Sequence, residues 1–257
     1  MVALRFASLG SGSKGNALLV ETGQYRVLVD CGFAARETEA RLGRLQVDPQ
    51  SLHAILVTHE HGDHLRGVGA MARRYRLPVW MTAGTFRAGR PGELPQLHRL
   101  DCHAGWFSLG DLEVLPFPVP HDAREPCQFL FRHQGRCLGL LTDTGHITPH
   151  IRETLSECDG LVLEFNHDRE MLANGPYPPR LQARVGGRHG HLSNDQSIAL
   201  LRQLPTQRLS CLLASHLSEK NNCRERVDEI VNQQLPSLQG RLDFASQHQV
   251  SRWFELE

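Results

Sequence analysis

The stretch Ala54-Ile55-Leu56-Val57-Thr58-His59-Glu60-His61-Gly62-Asp63-His64 decides how this chain is read. A short apolar run predicts a buried strand. Directly after it come His59, His61, Asp63 and His64. His59 and His61 stand two apart, so in extended chain their side chains point the same way. Asp63 and His64 open a helical pattern over 64–75, with Asp63 the expected N-cap. Burying so many imidazoles at a strand end without a cation would cost several kcal/mol. The cluster therefore points to a metal centre.

Three more candidates share its setting. His121 follows the strand-like run 112–119, Asp143 closes the run 136–142, and His216 follows Leu212-Leu213-Ala214-Ser215. Each sits where an apolar run ends, the place where α/β scaffolds present chemistry. Four ligands in the cluster exceed what one tetrahedral ion with an open position accepts. With the other three, the set divides between two ions: His59, His61 and His121 on one, Asp63, His64 and His216 on the other, Asp143 bridging. Two cations roughly 3.5–4 Å apart can clamp a phosphodiester, and a hydroxide held between them is available because bound water has a pKa of about 7. Imidazole and carboxylate donors suit zinc, manganese or iron. The expected cofactors are two divalent ions, Zn2+ or Mn2+.

Composition frames this without deciding it. The 257 residues are 40% apolar and 22% charged, ordinary for a globular protein with a sizeable core. Lys plus Arg (28) equals Asp plus Glu (28), so no global field draws in a polyanion and any nucleic-acid contact must be local. The N-terminal run Met1-Val2-Ala3-Leu4-Arg5-Phe6 has no signal-peptide pattern, and no apolar stretch is long enough to span a bilayer. Seven scattered cysteines with no Cys-x-x-Cys pair fit reduced thiols, and hence a cytoplasmic compartment.

Strands are expected at 6–9, 17–21, 26–30, 54–57, 112–119, 128–133, 136–142, 160–165, 209–214 and 241–245. Helices are expected at 34–45, 64–75, 147–156, 178–186, 194–203 and 223–233, with 82–105 an irregular excursion. That order suits two mixed sheets face to face with helices outside, an α/β (α+β) arrangement in one domain, 1–257.

His-x-His-x-Asp-His, followed by His121, Asp143 and His216, resembles the ligand motifs of the metallo-β-lactamase superfamily. Asp30, ending its strand, resembles that superfamily's first motif and would support the ligands. The resemblance implies a four-layer αββα sandwich with the metals at one edge of the sheets. Closer still, Ser8-Leu9-Gly10-Ser11-Gly12-Ser13-Lys14-Gly15-Asn16, Asp30-Cys31-Gly32, Pro120-His121-Asp122-Ala123, Leu141-Thr142-Asp143-Thr144-Gly145, Gly190-His191-Leu192-Ser193-Asn194 and Ser215-His216-Leu217-Ser218-Glu219-Lys220-Asn221-Asn222 are similar to the YycJ/WalJ group. That group implies 5′-to-3′ exonuclease action on DNA. Gly62 departs from it where serine is expected, at a position facing away from the ions.

Glu164 ends the run Leu161-Val162-Leu163, and His191 precedes a helix opening at Ser193. The pair resembles the glutamate and histidine of ribonuclease Z relatives, in which the histidine protonates the leaving oxygen. A departing sugar alkoxide needs such an acid, which contributes about 10²–10⁴-fold. Asp63, His191 and Glu164 are thus the candidate catalytic residues. Positions 121 and 143 lie too close for the tRNA-holding arm of ribonuclease Z relatives.

For the substrate, the Gly10–Asn16 loop offers backbone N–H groups as an anion nest, with Ser13, Lys14 and Asn16 as phosphate contacts. Ser193, Asn194 and Asn222 join them as substrate-binding candidates. Arg180, Arg184 and Arg188 recur along one expected helix face, and Arg73, Arg74 and Arg76 form another basic patch. Few aromatics lie nearby in sequence, which favours sequence-independent contact with phosphate and sugar. The resulting expectation is a two-metal phosphodiesterase, a 5′-to-3′ DNA exonuclease in genome maintenance, with no membrane association and no obligate protein partner. The alternatives are a hydrolase of a small ester, thioester or cyclic phosphodiester, and an RNA-processing nuclease.

Overall fold

The structure is a computed structural model that describes residues 4–256, so Met1–Ala3 of the N-terminal run lie outside the described residues. The described chain divides into two compact units, one built from 4–118, 123–136 and 246–256, the other from 119–122 and 137–245.

The first unit opens with β1 (Leu4–Gly10), β2 (Ala17–Glu21) and β3 (Arg26–Val29), paired antiparallel in turn. Helix α1 (Ala35–Arg44) then carries the chain over to β4 (Ala54–Leu56), parallel to β3. Helices α2 (Gly62–Leu65) and α3 (Val68–Tyr75) lead to β5 (Pro78–Thr82), and α4 (Ala83–Gly89) to β6 (Gln96–Leu100), both parallel additions. Leu42 of α1 and Val68, Met71 and Ala72 of α3 share one buried cluster with Leu28, Ile55 and Val79 of the strands. The long crossovers that parallel pairing requires thereby bury their apolar faces on the sheet. A meander of β7 (Phe107–Leu109), β8 (Leu112–Pro118) and β9 (Cys127–His133) completes the segment.

The second unit is a parallel array: β10 (Arg136–Leu141, entering from the first unit at Arg136), α5 (Pro149–Thr154), β11 (Gly160–Glu164), α6 (Arg169–Asn174), α7 (Pro179–Val185), α8 (Asn194–Leu201), β12 (Cys211–Ser215), α9 (Arg224–Gln234) and β13 (Leu242–Phe244). Every residue of β11 and β12 is buried, the continuous run expected of strands covered on both faces. The chain then returns to the first unit as β14 (Phe254–Leu256), which gives that unit's sheet the order β14-β1-β2-β3-β4-β5-β6.

Three expectations need correction. The helix over 64–75 is two helices broken at Arg66–Gly67, where a Cβ on Gly67 would run into the Phe33 carbonyl oxygen. Its N-cap is His61 with no side-chain cap bond, because Asp63 already lies inside the first turn. The stretch 82–105 is ordered: Thr82 caps α4 by accepting from the Thr85 N–H, and β6 pairs along β5. Among the described residues, no helix is long and apolar enough to cross a membrane.

Candidate active site

In the first unit the candidate ligands are held from behind. Asp30 leaves β3 in the left-handed region, at φ 58°, and is buried. Its Oδ1 accepts from the Thr58 N–H at 2.8 Å, while its Oδ2 lies 2.8 Å from both the Thr58 hydroxyl and His64 Nδ1. Because the Thr58 hydroxyl donates to Asp30, it accepts from His59 Nδ1, 3.0 Å away. Both imidazoles therefore keep a proton on Nδ1 and the lone pair on Nε2. Asn16 agrees for His64, since its amide nitrogen can only donate and lies 3.0 Å from His64 Nε2. The same amide reaches Asp63 Oδ2 at 3.1 Å. His59 Nε2 and His61 Nδ1 stand 3.0 Å apart. The expected convergence of residues 59 and 61 is met.

In the second unit the arrangement centres on Glu164, fully buried at the end of β11. Its Oε1 accepts from His191 Nδ1 at 2.8 Å and from His216 Nδ1 at 3.0 Å. Its Oε2 accepts from the backbone N–H groups of Thr144 (3.2 Å) and Leu192 (3.1 Å). Burial pushes the Glu164 carboxyl up, but the charge of His191 and the hydrogen bonds from His191 and His216 outweigh it and bring it to about 2. Asp143 Oδ1 lies 3.4 Å from His216 Nδ1 and 3.6 Å from His191 Nδ1. Asp143, Glu164, His191 and His216 each bring a ligand-type atom within 4.8 Å of the others. His121 Nδ1 donates to the Gly190 carbonyl at 3.1 Å, which again leaves the lone pair on Nε2.

These donor sets fit a divalent cation. Four imidazoles, His59, His64, His121 and His216, have Nδ1 fixed by an oxygen and present Nε2 as a Lewis base, the support that metal-bound histidines characteristically receive. Hard carboxylates accompany them, and none of the seven cysteines joins these sets. At Gly62 a Cβ would meet nothing within 4 Å, so the departure from serine leaves the packing untouched.

The substrate expectations fare unevenly. In the Gly10–Asn16 loop, Ser11 N donates to the Ser246 carbonyl, Gly12 N to Asn16 Oδ1, Lys14 N to Gln247 Oε1, Gly15 N to the Gly12 carbonyl and Asn16 N to the Asp63 carbonyl. With these donors engaged inside the protein, the loop is not the expected anion nest. Ser13 and Lys14 do project outward, whereas Asn16 is buried against the ligands. Ser193, Asn194 and Asn222 are buried as well. Ser193 caps α8 in a reciprocal box with Gln196, and the amides of Asn194 and Asn222 bond each other at 2.8 and 3.0 Å. Internal ties use the polar atoms that the sequence reading assigned to substrate. Arg188 lies beyond the end of α7, and Arg184 pairs with Asp122 at 2.5 Å, so the three-arginine face is not formed as expected.

Thr58 and the second contact of Glu164, on His216, have no counterpart in the motif reading. Thr58 is adjacent to the cluster and could have been suspected. The Glu164–His216 bond depends on two strand ends being neighbours, which residue spacing does not reveal.

Residues 25–212 match the β-lactamase superfamily domain. The exodeoxyribonuclease YycJ of Bacillus anthracis is 35% identical over 237 residues, 91% of this chain and 90% of that protein. The exodeoxyribonuclease WalJ of Streptococcus pneumoniae is 32% identical over 241 residues, 91% of this chain and 89% of its own. Among solved structures, the metallo-β-lactamase fold protein YhfI from Bacillus subtilis superposes with a TM-score of 0.78 at 14% identity, covering 99% of this chain and 100% of that one. Two mixed sheets flanked by helices, ligand sets at strand ends and these full-length relatives agree: the chain belongs to the metallo-β-lactamase superfamily, together with the YycJ and WalJ exodeoxyribonucleases.

Proposed function

We propose that this protein is a metal-dependent 5′-to-3′ DNA exonuclease of the cytoplasm, acting in genome maintenance. The observation that carries the reading is the buried Glu164 carboxylate holding His191 at 2.8 Å beside Asp143 and His216. A β-lactam or thioester hydrolase has less use for such an acid, whereas a sugar alkoxide leaves poorly without one. The full-length likeness to two exodeoxyribonucleases points to the same substrate.

His59, His61, Asp63, His64, His121, Asp143 and His216 would hold two divalent ions, Zn2+ or Mn2+. Such ions supply Lewis acidity and an activated water when bound. Asp30, Thr58 and Asn16 fix the tautomers and orientation of the first-unit ligands. Glu164 keeps the His191 proton on Nδ1, so the proton given to the leaving oxygen comes from Nε2 of the imidazolium. Lys14, which is exposed, would meet phosphate.

The test is digestion of end-labelled single- and double-stranded DNA and RNA by the purified protein with manganese, zinc or magnesium. The expected result is mononucleotide release from the 5′ end of DNA. Turnover of a thioester with no cleavage of any polymer would reject the reading.

A further inference from the structure

The second unit contains a cleft of about 540 Å³ that none of the expected site residues explains. Its size falls within the roughly 300–1,000 Å³ range of small-molecule pockets and is ample for a nucleotide. His167, Leu172, Ala173 and Ala183 supply an imidazole and small or apolar surfaces, while Gln182 and Arg169 add polar groups. His167 is only 3% exposed, and its Nδ1 has no hydrogen-bond partner. That nitrogen is sealed inside the wall of the cleft, while Nε2 of the same ring lies toward Gly186 of the lining. Burial pushes the imidazole down to about 4, against the upward pull of Glu164, so the ring is neutral and suits a base rather than a second charge. The Arg169 side chain is 64% exposed, with Nε 3.3 Å from Ser193 Oγ and 3.5 Å from Asp195 Oδ2.

The cleft adjoins the candidate general acid through the backbone. Asn166 N donates to the Leu192 carbonyl at 3.1 Å and Asn194 N to the His167 carbonyl at 2.9 Å. The segment carrying His167 thus runs alongside the one carrying His191. The charges of Glu164 and His191 both act on the His167 imidazole, which puts the wall of the cleft in the neighbourhood of the candidate acid.

We propose that this cleft holds one unstacked nucleobase of the substrate strand, with Arg169 beside its phosphate. The inference rests on the nuclease reading and adds a subsite to it. Leu172, Ala173 and Ala183 offer small apolar surfaces and set no fixed hydrogen-bond frame, so the cleft accepts any base. It gives the protein the base contact that the sequence, poor in aromatics here, did not suggest.

The test pairs a filled cleft with a missing base. Ala183 is exposed, so Ala183→Phe can fill the cleft without disturbing the core, and Ala173→Phe fills it from α6. The substrates are 5′-phosphorylated oligonucleotides with an abasic residue at each of the first three positions in turn. Wild-type protein should lose roughly ten- to hundred-fold in kcat/KM at one of these positions. In Ala183→Phe that discrimination should vanish, with intact and abasic strands cleaved within about twofold of each other. No abasic effect in the wild type, or the same effect in both proteins, overturns the proposal while leaving the nuclease reading intact. If the wild type cleaves no DNA, the nuclease reading fails and calorimetric titration with 2′-deoxyadenosine 5′-monophosphate decides the cleft. At least tenfold weaker binding in Ala183→Phe supports it, and equal affinity overturns it.

Discussion

Replacing Glu164 with glutamine removes one charge and one acceptor at the most heavily used carboxylate of the site. The native side chain accepts four hydrogen bonds, two from imidazole Nδ1 atoms and two from backbone N–H groups. A glutamine amide has one oxygen and one NH2, so whichever way it faces, two buried donors meet hydrogens. Losing two bonds to a charged group, at about 1.5–3 kcal/mol each, predicts a destabilisation of about 3–6 kcal/mol. The lowering of the carboxyl from 4.5 to about 2 corresponds to about 3 kcal/mol, at the lower end of that range. The assay is urea unfolding of metal-stripped wild type and Glu164→Gln at several pH values. A carboxyl held below its unfolded value contributes fully above about 4.5 and loses that contribution as pH falls toward 2. The gap between the two proteins should therefore narrow on acidification from about pH 5. Should His191 and His216 switch tautomer to accept from the amide, Nε2 of His216 would carry the proton. Metal affinity would then fall about 10–100-fold, the usual loss on removing such a support. A gap below about 1 kcal/mol at pH 7, or one that does not change on acidification, would refute this account of Glu164.

Other expectations follow from the same geometry. His191→Ala should slow cleavage of a natural phosphodiester about 10²–10⁴-fold but spare a nitrophenyl phosphodiester, whose leaving group needs no proton; equal losses in steady-state assays would remove the general-acid role. Asp30→Asn places an amide against the donors of Thr58 and His64 and should cost about 3 kcal/mol or more, read as a lower unfolding midpoint together with weaker metal binding in a competition titration. Chelation should lower the melting temperature, because ions at a hundredfold excess over Kd stabilise by about 2.7 kcal/mol; an unchanged transition in scanning calorimetry would argue against ions bound to the native state.

The clustering of candidate ligands was legible because its information is local: a buried strand stops and donors follow at once. His59 and His61 converge as period-two spacing demands, and β10, β11 and β12 end where their apolar runs end. Helix capping was partly legible, since Ser193 and Gln196 stand at the spacing of a reciprocal box. What failed was non-local. Nothing in Ser193-Asn194 or in Asn222 says that the two amides will meet each other in the interior. The Gly10–Asn16 loop reads as an anion nest until Gln247, more than 230 residues away, is seen occupying its Lys14 N–H. The break between α2 and α3 falls at Gly67, a local signal, but the Phe33 carbonyl that crowds this glycine is remote in sequence. Short edge pieces such as β7 and β14 carry three residues each, too few for a periodic signal.

Backbone strain gives a criterion for the site that does not depend on resemblance. Seven described non-glycine residues have positive φ. Gln46, Arg76 and Arg90 lie at helix ends, and Gln134 precedes Gly135 in a turn, places where the left-handed region is ordinary. The other three are Asp30, Asp143 and His216, at 58°, 52° and 53°, each just past the end of a strand. Glycine would turn the chain there without strain, whereas a side chain in this region costs about 1–3 kcal/mol. The side chains present are two carboxylates and an imidazole, each bonded or set close to another member of its ligand set. A packed interior alone has no use for that combination. Strain retained at three strand ends, each carrying a candidate metal ligand or its support, marks positions where orientation of a polar group outweighs backbone comfort, as expected of a preorganised metal site.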